Sequence, residues 1–358
     1  MAIINARNPY FVSVTNSTLA YATLDIEIYD GVKTSDFTGT PTYSLRKQII
    51  GTSTEISFEF AELIRDYLDL GFTGNYTTSA QSSCRWVRHI LTAFDGNGTQ
   101  LSQSTNIDLA FDGYGYFEQG SSYSIQNKGV FMTNRTMYIP TGLEARIQVF
   151  TSQDSSLAPT VKFKRNGATI TTHNLTYSEE SEDQIVSLSE TNIDTITVDY
   201  SGDGGLATDT ITVNQLDECK YTPFKVTFIN KFGVLQDMYF FKKSVENITT
   251  KRESYKSNTL QSNNTYNTYN HTKRDFNITA NQSISLSSGF VDESFNDVFK
   301  ELLLSEKVWI TKLVNGSTTV LAINIKTSNI TYKTSVNDRL VEYTIEFEDS
   351  FNVINNIR

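Results

Sequence analysis

Apolar and polar residues alternate most regularly close to the C-terminus of the chain. The apolar positions are Val341, Tyr343, Ile345 and Phe347, and the polar positions are Glu342, Thr344, Glu346 and Glu348. Successive side chains of a β-strand point to opposite faces, so a period of two is typical of a strand with one face in a core and the other in water. The pattern predicts a half-buried strand with glutamates on its polar face.

A helical period precedes this strand. Its apolar positions are Val291, Phe295, Val298, Phe299 and Leu302. Residues three or four apart share one face of a helix, and Asp292 and Glu293 add negative charge in the first turn, where the helix dipole favours it. We predict an amphipathic helix at about residues 290–304 that covers the sheet.

The dipeptide Asn315-Gly316 lies between this helix and the last strand. Asn-Gly accepts the positive φ angles of a type I′ turn, which is the usual turn of a two-residue hairpin. Such a turn places Val308 opposite Ile323 and Ile310 opposite Leu321 on one apolar surface. Residues 218–358 are therefore predicted to form a β-sandwich with a single flanking helix.

The N-terminal segment, residues 1–139, combines the same two periods. Leu24, Ile26 and Ile28 alternate with polar residues, and apolar residues recur at helical spacing over about residues 59–70. Glycine often follows the end of a helix, as Gly71 does here. We predict a β domain with one amphipathic helix, and a loop at the glycine- and tyrosine-rich stretch of residues 112–116.

Residues 140–217 contain short alternating stretches separated by turn sequences, including a predicted hairpin at Asn166-Gly167. Short strands at regular intervals are typical of a small immunoglobulin-like or lectin-like sandwich, here inserted in the chain. The whole chain is therefore predicted to be mainly β, a multi-domain β-sandwich protein.

The stretch Thr259–His271 is rich in Asn, Thr and Tyr and has almost no aliphatic residue. Such a composition cannot form a core of its own. The stretch is either a disordered loop or the tip of a long hairpin that becomes ordered against a neighbouring subunit.

Charge and composition narrow the functional classes. The net charge of −10 argues against specific nucleic-acid binding, because phosphate contacts require clustered cations. Two cysteines, Cys84 and Cys219, are too few for a disulfide framework and are predicted to be buried free thiols. The chain starts without a signal-peptide pattern and has no membrane-spanning apolar run, so we expect synthesis in a cytoplasm and no membrane insertion.

No motif in the chain points to catalysis, a metal or a cofactor, and we expect a non-enzyme without either. The histidines, His89, His173 and His271, are scattered and have no partners at metal-ligand spacing. An acid pair for sugar hydrolysis could be chosen almost anywhere among the 40 acidic residues, so the sequence selects none.

Loop tyrosines are the remaining candidates for contact with a ligand or partner. Tyrosine stacks on sugars and anchors protein interfaces, although plain surface exposure is an equally good explanation. Tyr114 and Tyr116 are candidate glycan or partner contacts. Tyr266 and Tyr269, together with His271, are candidate inter-subunit contacts.

Several stretches stand out by their sequence: Lys220–Gly233 followed by Asp237–Lys243, Lys333–Leu340 leading into Tyr343–Phe347, Ile56–Leu68, and Asp112–Glu118. Together they resemble tail and baseplate proteins of tailed bacteriophages that infect Bacteroidetes-type bacteria. The resemblance covers the first and third segments, leaves residues 140–217 uncovered, and carries no catalytic signature.

The resemblance implies a virion structural protein of the tail or baseplate, made in the host cytoplasm. Distal-tail and tail-tube proteins use a β-sandwich with a flanking helix and assemble as a ring around the DNA channel. A homo-oligomeric ring that contacts other tail or baseplate proteins is therefore implied, with DNA passing through it unbound. In such a ring Glu342, Glu346 or Glu348 could line the channel and repel DNA, or simply face solvent.

Two other functions stay open. One is a receptor- or glycan-binding tail adhesin, with the sandwich of residues 140–217 and its neighbouring tyrosines as the contact surface. The other is a polysaccharide-degrading enzyme, which is disfavoured because no acid pair can be selected.

Overall fold

The computed structural model describes residues 3–31, 33–76, 84–120, 130–151, 159–175, 185–200, 208–258, 265, 267–314, 317–332 and 340–354. The protein is mainly β, with several β-sandwich-like sheets in a multi-domain fold, which confirms the predicted fold class. Some positions singled out in the sequence lie outside the described residues: Tyr266, Asn315, Gly316 and 333–339.

The strands and helices are numbered in chain order. Up to residue 217 the strands are β1 (Ile3–Asn5), β2 (Phe11–Thr15), β3 (Tyr21–Tyr29), β4 (Tyr43–Gln48), β5 (Glu55–Glu59), β6 (Cys84–Phe94), β7 (Gln100–Phe111), β8 (Thr136–Pro140), β9 (Glu144–Phe150), β10 (Thr160–Arg165), β11 (Ala168–Asn174), β12 (Ile185–Thr191), β13 (Thr195–Asp199) and β14 (Asp209–Leu216). After it they are β15 (Phe224–Ile229), β16 (Leu235–Phe240), β17 (Ser244–Lys256), β18 (Lys273–Ser287), β19 (Val291–Asp292), β20 (Val308–Val314), β21 (Ser317–Ile325), β22 (Leu340–Val341) and β23 (Thr344–Asp349). The helices are α1 (Ala61–Arg65), α2 (Tyr116–Gln119) and α3 (Asn296–Leu304).

The chain forms two compact units. The first contains Met1–Asp217, Thr227–Met238 and Ser294–Glu306, and the second contains Glu218–Val226, Tyr239–Glu293 and Lys307–Arg358. The predicted three-part division, with boundaries at 139/140 and 217/218, stays a prediction.

The N-terminal part of the first unit is a sheet in the order β1-β7-β6-β3-β4, covered by the β2–β5 pair and α1. Its core combines Leu24 of β3, Phe58 of β5 and Ile64 of α1. The helix is shorter than predicted. Leu68 and Leu70 are both buried, and residues two apart cannot share one helix face, so the chain leaves the helix after Arg65.

Residues 136–216 contain the sheet β11-β10-β13-β14-β8 and the separate pair β12-β9. Phe163 and Val198 are buried in the former, and Ile147 in the latter. The predicted hairpin at Asn166-Gly167 is confirmed, since Arg165 pairs with Ala168 and the turn residues have φ of 50° and 77°. The immunoglobulin-like or lectin-like character stays a prediction.

The large C-terminal sheet has the order β16-β15-β20-β21-β23-β18-β17. The predicted alternation is confirmed: the apolar set Val341, Tyr343, Ile345 and Phe347 is buried, and the intervening glutamates are half-buried. The strand breaks between β22 and β23, because the Tyr343 N–H donates to Ser288 Oγ at 3.1 Å and not to a neighbouring strand.

The predicted register of the β20–β21 hairpin is also confirmed. Val308 pairs with Ile323, and Ile310 pairs with Leu321. Val314 pairs with Ser317, so the connection has two residues, as the Asn-Gly sequence predicts.

The predicted helix at residues 290–304 is shortened at its start. Val291 pairs with Val341 in a two-stranded sheet, and Phe295 ends a 3-10 turn. The helix α3 therefore begins at Asn296 and buries Val298, Phe299 and Leu302. It belongs to the first compact unit, which also contains Thr227–Met238 and thereby parts of β15 and β16; its predicted covering of the C-terminal sheet stays a prediction.

Cys219 is exposed with a free thiol, so its predicted burial was wrong. It lies in the connection between β14 and β15, where the adjoining Lys220 is exposed too. The side chain of Cys84 is outside the described residues. No helix in the described part of the chain is long and apolar enough to cross a membrane.

The helix α3 also buries a carboxyl group. Glu301 is 3 % exposed, and its burial raises the pKa to about 7. Hydrogen bonds from Thr133 and from the Lys231 backbone, together with the Lys231 charge, oppose this rise, whereas Asp297 adds to it. The folded protein therefore retains a proton that the unfolded chain releases near its ordinary pKa of 4.5.

We expect Glu301→Gln to raise the free energy of unfolding at pH 8 and to change it little near pH 4.5. The pKa of Glu301 is higher in the folded state, so its contribution to stability is full below pH 4.5 and is lost as the pH rises through 7. A tenfold change in proton affinity corresponds to about 1.4 kcal/mol, which predicts a gain of about 2–3 kcal/mol at pH 8. Urea unfolding at several pH values measures this gain.

The control is Glu62→Gln, which changes an exposed glutamate of α1. It should leave the pH dependence of stability as in the wild type. An unchanged pH dependence in Glu301→Gln would mean that Glu301 is ionised in the folded protein across this range.

Candidate functional site

The outer part of the β17–β18 hairpin is the most exposed paired structure in the second unit. Its strands have 13 and 15 residues, but β23 pairs with β18 only over Ser283–Ser287. Among the described strands, none pairs with the outer residues of the hairpin except their own partners. We call this outer part, Lys251–Lys256 with Lys273–Asn277, the ribbon.

Every residue of the ribbon is exposed, including two aromatic side chains. Tyr255 is 48 % exposed and Phe276 43 %, and their rings meet edge to face with centroids 5.7 Å apart. The pairs Glu253↔Phe276 and Tyr255↔Arg274 place these four residues on one face of the ribbon. Exposed aromatic and arginine side chains are enriched at protein interfaces.

The ribbon is basic, although the chain carries a net charge of −10. Its cations are Lys251, Arg252, Lys256, Lys273 and Arg274, and its acids are Glu253 and Asp275. Arg252 pairs with Asp275 at 3.5 Å, and both side chains are substantially exposed. The sequence analysis did not single out these residues, although the density of cations in two polar stretches was visible as a signal.

A bulge lies at the inner end of the ribbon. Lys251 pairs with Thr279 and Glu253 pairs with Phe276, so β18 has one residue more than β17 between these pairs. Asn277 lies in this bulge and has a positive φ of 50°. A bulge of this kind increases the local twist and changes the direction of the strands beyond it.

The stretch Thr259–His271 connects the two strands of this long hairpin. The Ser257 N–H donates to the Thr272 carbonyl at 2.7 Å, which extends the pairing one step beyond the ribbon. Tyr269 is 77 % exposed, and its Oη accepts a hydrogen bond from Asn267 Nδ2 at 2.8 Å. His271 is exposed as well, and the inter-subunit role of these residues stays a prediction.

The glutamates on the polar face of β22 and β23 are partnered. Ser287 Oγ donates to Glu342 at 2.7 Å, and Asn281 Nδ2 donates to Glu348 at 2.7 Å. Glu346 lies 2.8 Å from Lys326, and this hydrogen-bonded ion pair holds the pKa of Glu346 below its ordinary value. The face is thus a hydrogen-bonded surface and not a row of bare carboxylates; its position in a channel stays a prediction.

In the first unit, two stretches that carry the phage-tail resemblance touch each other. The Tyr114 N–H donates to the Lys231 carbonyl at 3.0 Å. A Cβ at Gly113 would lie 2.6 Å from Asn5 Oδ1, and one at Gly233 would lie 2.7 Å from the Asp112 nitrogen. The contact between the 112–116 loop and the 230–233 turn therefore requires glycine at 233, whereas Gly113 makes room for Asn5 of β1.

Tyr114 and Tyr116 are half-buried in this contact, so their expected full exposure is not found. The loop packs on the 230–233 turn and continues directly into α2, where Phe117 is 87 % exposed. The Lys231 ammonium is nearly buried and lies 3.5 Å from Glu118. A glycan-contact role for the two tyrosines stays a prediction.

A cleft of about 420 Å³ lies beside this loop, still within the first unit. It is lined by Ala6, Arg7, Asn8, Pro9, Glu59, Glu62, Arg65, Phe117 and Glu306. Arg7 binds Asp112 with two hydrogen bonds of 2.8 and 2.5 Å, and Arg65 pairs with Glu306. The two arginines are thus neutralised, and Glu59 and Glu62 leave the cleft with negative charge.

His89 is the histidine most closely associated with an acid, but it is buried. Its Nε2 lies 3.0 Å from Asp108, which also accepts a hydrogen bond from Tyr10 at 3.0 Å. His89 is 2 % exposed and Asp108 5 %, so a substrate cannot reach this group without unfolding. The described residues contain no group of three His, Cys, Asp or Glu placed to hold a metal.

Comparison with known proteins leaves the family open. No protein-family model and no curated protein matches the chain. Among solved structures, a "Biofilm associated protein - BSP domain" is 10 % identical, with 78 % of this chain and 61 % of that chain covered and a TM-score of 0.18. The chain thus spans about six-tenths of that structure's length, and a TM-score this low carries no argument.

We expect Gly233→Ala to destabilise the first unit strongly. The substitution places a Cβ 2.7 Å from the Asp112 backbone at a residue whose φ is 77°. A left-handed conformation costs about 1–2 kcal/mol for a non-glycine residue, and the steric overlap adds to this cost because it involves backbone. The expected loss is about 3 kcal/mol or more, since overpacking costs about 1–3 kcal/mol in addition.

Gly142→Ala is the matched control, because its φ is 86° and nothing lies within 4 Å of an added Cβ. It should show only the conformational cost. Thermal or urea unfolding measures both variants, and equal losses would contradict a close approach of the two segments.

Proposed function

We propose that the chain is a non-enzymatic structural protein of a phage tail or baseplate. Copies of it assemble through one repeated contact into a ring around the DNA channel. The observation that carries the proposal is the ribbon, which is paired, exposed at every position and without a third strand beside it in the part of the chain that the structure describes. The sequence resemblance stated above supplies the tail context.

The physical argument starts from the instability of such a ribbon. Two strands alone are at best marginally stable in water, and β17 forms an edge of its sheet. An edge strand presents unpaired N–H and C=O groups that another chain can satisfy. Two exposed aromatic side chains add apolar area that gains free energy when it is covered. A neighbouring subunit would supply hydrogen-bond partners for the edge of β17 and would cover the two aromatic side chains.

The contact we propose is head-to-tail, because the ribbon faces a different surface on the next copy. A heterologous contact repeats from copy to copy and closes into a ring when its rotation allows. The half-buried glutamates Glu342, Glu346 and Glu348 are the candidates for the channel side of this ring. Glu342 and Glu348, which accept hydrogen bonds from the uncharged Ser287 and Asn281, would contribute more to repelling DNA than Glu346, which pairs with Lys326.

Shortening the hairpin tests the proposal. We replace residues 258–271 with Asn-Gly, which joins Ser257 to Thr272 across a two-residue turn. The monomer should fold as before, because the replaced residues lie beyond the paired strands, but ring assembly should be lost. Negative-stain imaging and mass photometry measure assembly, and circular dichroism measures the fold. Unchanged ring formation would count against the tip of the hairpin as a contact and would leave the ribbon, which this variant retains in full, as the assembling element.

A second variant removes only the aromatic contacts of the ribbon. Tyr255→Ser with Phe276→Ser should weaken assembly at least tenfold, because the loss of two half-exposed rings removes well over 1.4 kcal/mol of interface energy. Ile50→Ser with Ile170→Ser is the matched control, since these two exposed apolar residues lie on other strands and turns. If the two double variants assembled equally well, the aromatic residues of the ribbon would have no specific role in assembly.

A further inference from the structure

The cleft of the first unit is lined by an asparagine whose amide nitrogen has no hydrogen-bond acceptor among the described residues, and it carries negative charge. Asn8 lines it and is 3 % exposed. Its Oδ1 accepts the Tyr116 N–H at 3.0 Å, but its Nδ2 has no hydrogen-bond partner among the described residues. A buried donor without an acceptor is costly, so an occupant of the cleft should bring a carbonyl or carboxylate oxygen.

The charges of the cleft select a cationic occupant. Arg7 and Arg65 are already paired with Asp112 and Glu306, which leaves Glu59 and Glu62 at the cleft. Both glutamates are exposed. Phe117, at 87 % exposure, offers an aromatic surface beside them. The ideal occupant therefore combines a cation, an aromatic ring and a free backbone carbonyl.

The ribbon has all three of these properties. Arg274 and Tyr255 are a directly paired couple on one face, and neither is covered by the rest of its own chain. The outer edge of β17 presents carbonyl groups that pair with no other described strand. The volume of about 420 Å³ is within the range of small ligand pockets, so it can take a few side chains and not a whole domain.

We propose that the ribbon of one copy docks into the cleft of the next copy. Arg274 pairs with Glu59 and Glu62, Tyr255 packs against Phe117, and a carbonyl of β17 accepts the Asn8 amide. The proposal rests on the assembly proposed above and names its two contacting surfaces. Because the ribbon and the cleft are different surfaces, each copy uses both, and the contact propagates head-to-tail.

Charge reversal on either surface tests this contact. We expect Arg274→Glu and Glu62→Arg each to remain monomeric at concentrations where the wild type assembles, because like charges then meet. An equimolar mixture of the two variants should co-assemble, since each ribbon then finds a cleft of opposite charge in the other variant. The double variant should assemble by itself for the same reason. Raising the salt concentration should weaken assembly of the wild type.

Mass photometry and negative-stain imaging give the oligomeric state, and thermal unfolding verifies that each variant is folded. Arg165→Glu is the matched control, because it reverses an exposed cation on β10 outside the ribbon. It should assemble like the wild type. If Arg274→Glu unfolds, Arg274→Gln replaces it; this change removes the charge instead of reversing it and should weaken assembly.

The outcomes separate this contact from the proposed function. A wild type that stays monomeric at all concentrations overturns both. A wild type that assembles while both single variants assemble equally well overturns the contact and leaves the structural role intact. Single variants that lose assembly without recovery on mixing show that ribbon and cleft contact different surfaces, which also overturns the contact.

Discussion

The close approach of two backbone segments distant in sequence holds the first unit together. The 112–116 loop and the 230–233 turn come within hydrogen-bonding distance at Tyr114 and Lys231, and Gly233 has no side chain to interfere with the Asp112 backbone. Asp112 at the start of the loop also binds Arg7. A chain that folds this way joins its N-terminal strand, a central loop and a later hairpin turn in one cluster.

This cluster explains why the compact units do not follow the order of the chain. Residues 227–238 and 294–306 come late in the sequence but belong to the first unit. Their buried polar groups, Lys231 and Glu301, have partners there in Glu118, Thr133 and the backbone. The stretches Lys220–Gly233 and Asp112–Glu118, which stand out in the sequence, contain the residues of this contact, so their pattern follows in part from packing.

Hydrophobic periodicity and turn sequences predict strands and tight hairpins well, but they predict the ends of helices poorly. The alternation around Ile345, the register of the β20–β21 hairpin and the Asn166-Gly167 turn are all found, because each depends on local geometry. The predicted helices were too long, since apolar residues such as Val291 and Leu68 are buried outside the helices at positions that match helical spacing. The periodicity of one sequence does not show which residues are buried by partners that are distant in sequence.

The same limit applies to the candidate surfaces. The hairpin around residues 259–271 was noticed for its composition, whereas the basic ribbon that carries it was missed, because its importance comes from the absence of a third strand beside it in the described sheet. The cleft joins Asn8, Glu62 and Glu306 from three separate parts of the sequence. Tyr114 and Tyr116 looked exposed from their glycine neighbours, but those glycines permit close packing.

The bulge at Asn277 has a mechanical consequence. A ribbon of two strands with an irregular step at its base bends far more readily than a broad sheet, since no neighbouring strand resists the motion. In the assembly proposed above, copies linked through this element can meet at a range of angles without breaking a hydrogen bond inside either unit. The curvature of such an assembly, and hence the number of copies that closes it, then depends on the contact that the ribbon makes with the next copy. It does not depend on the packing inside the compact units.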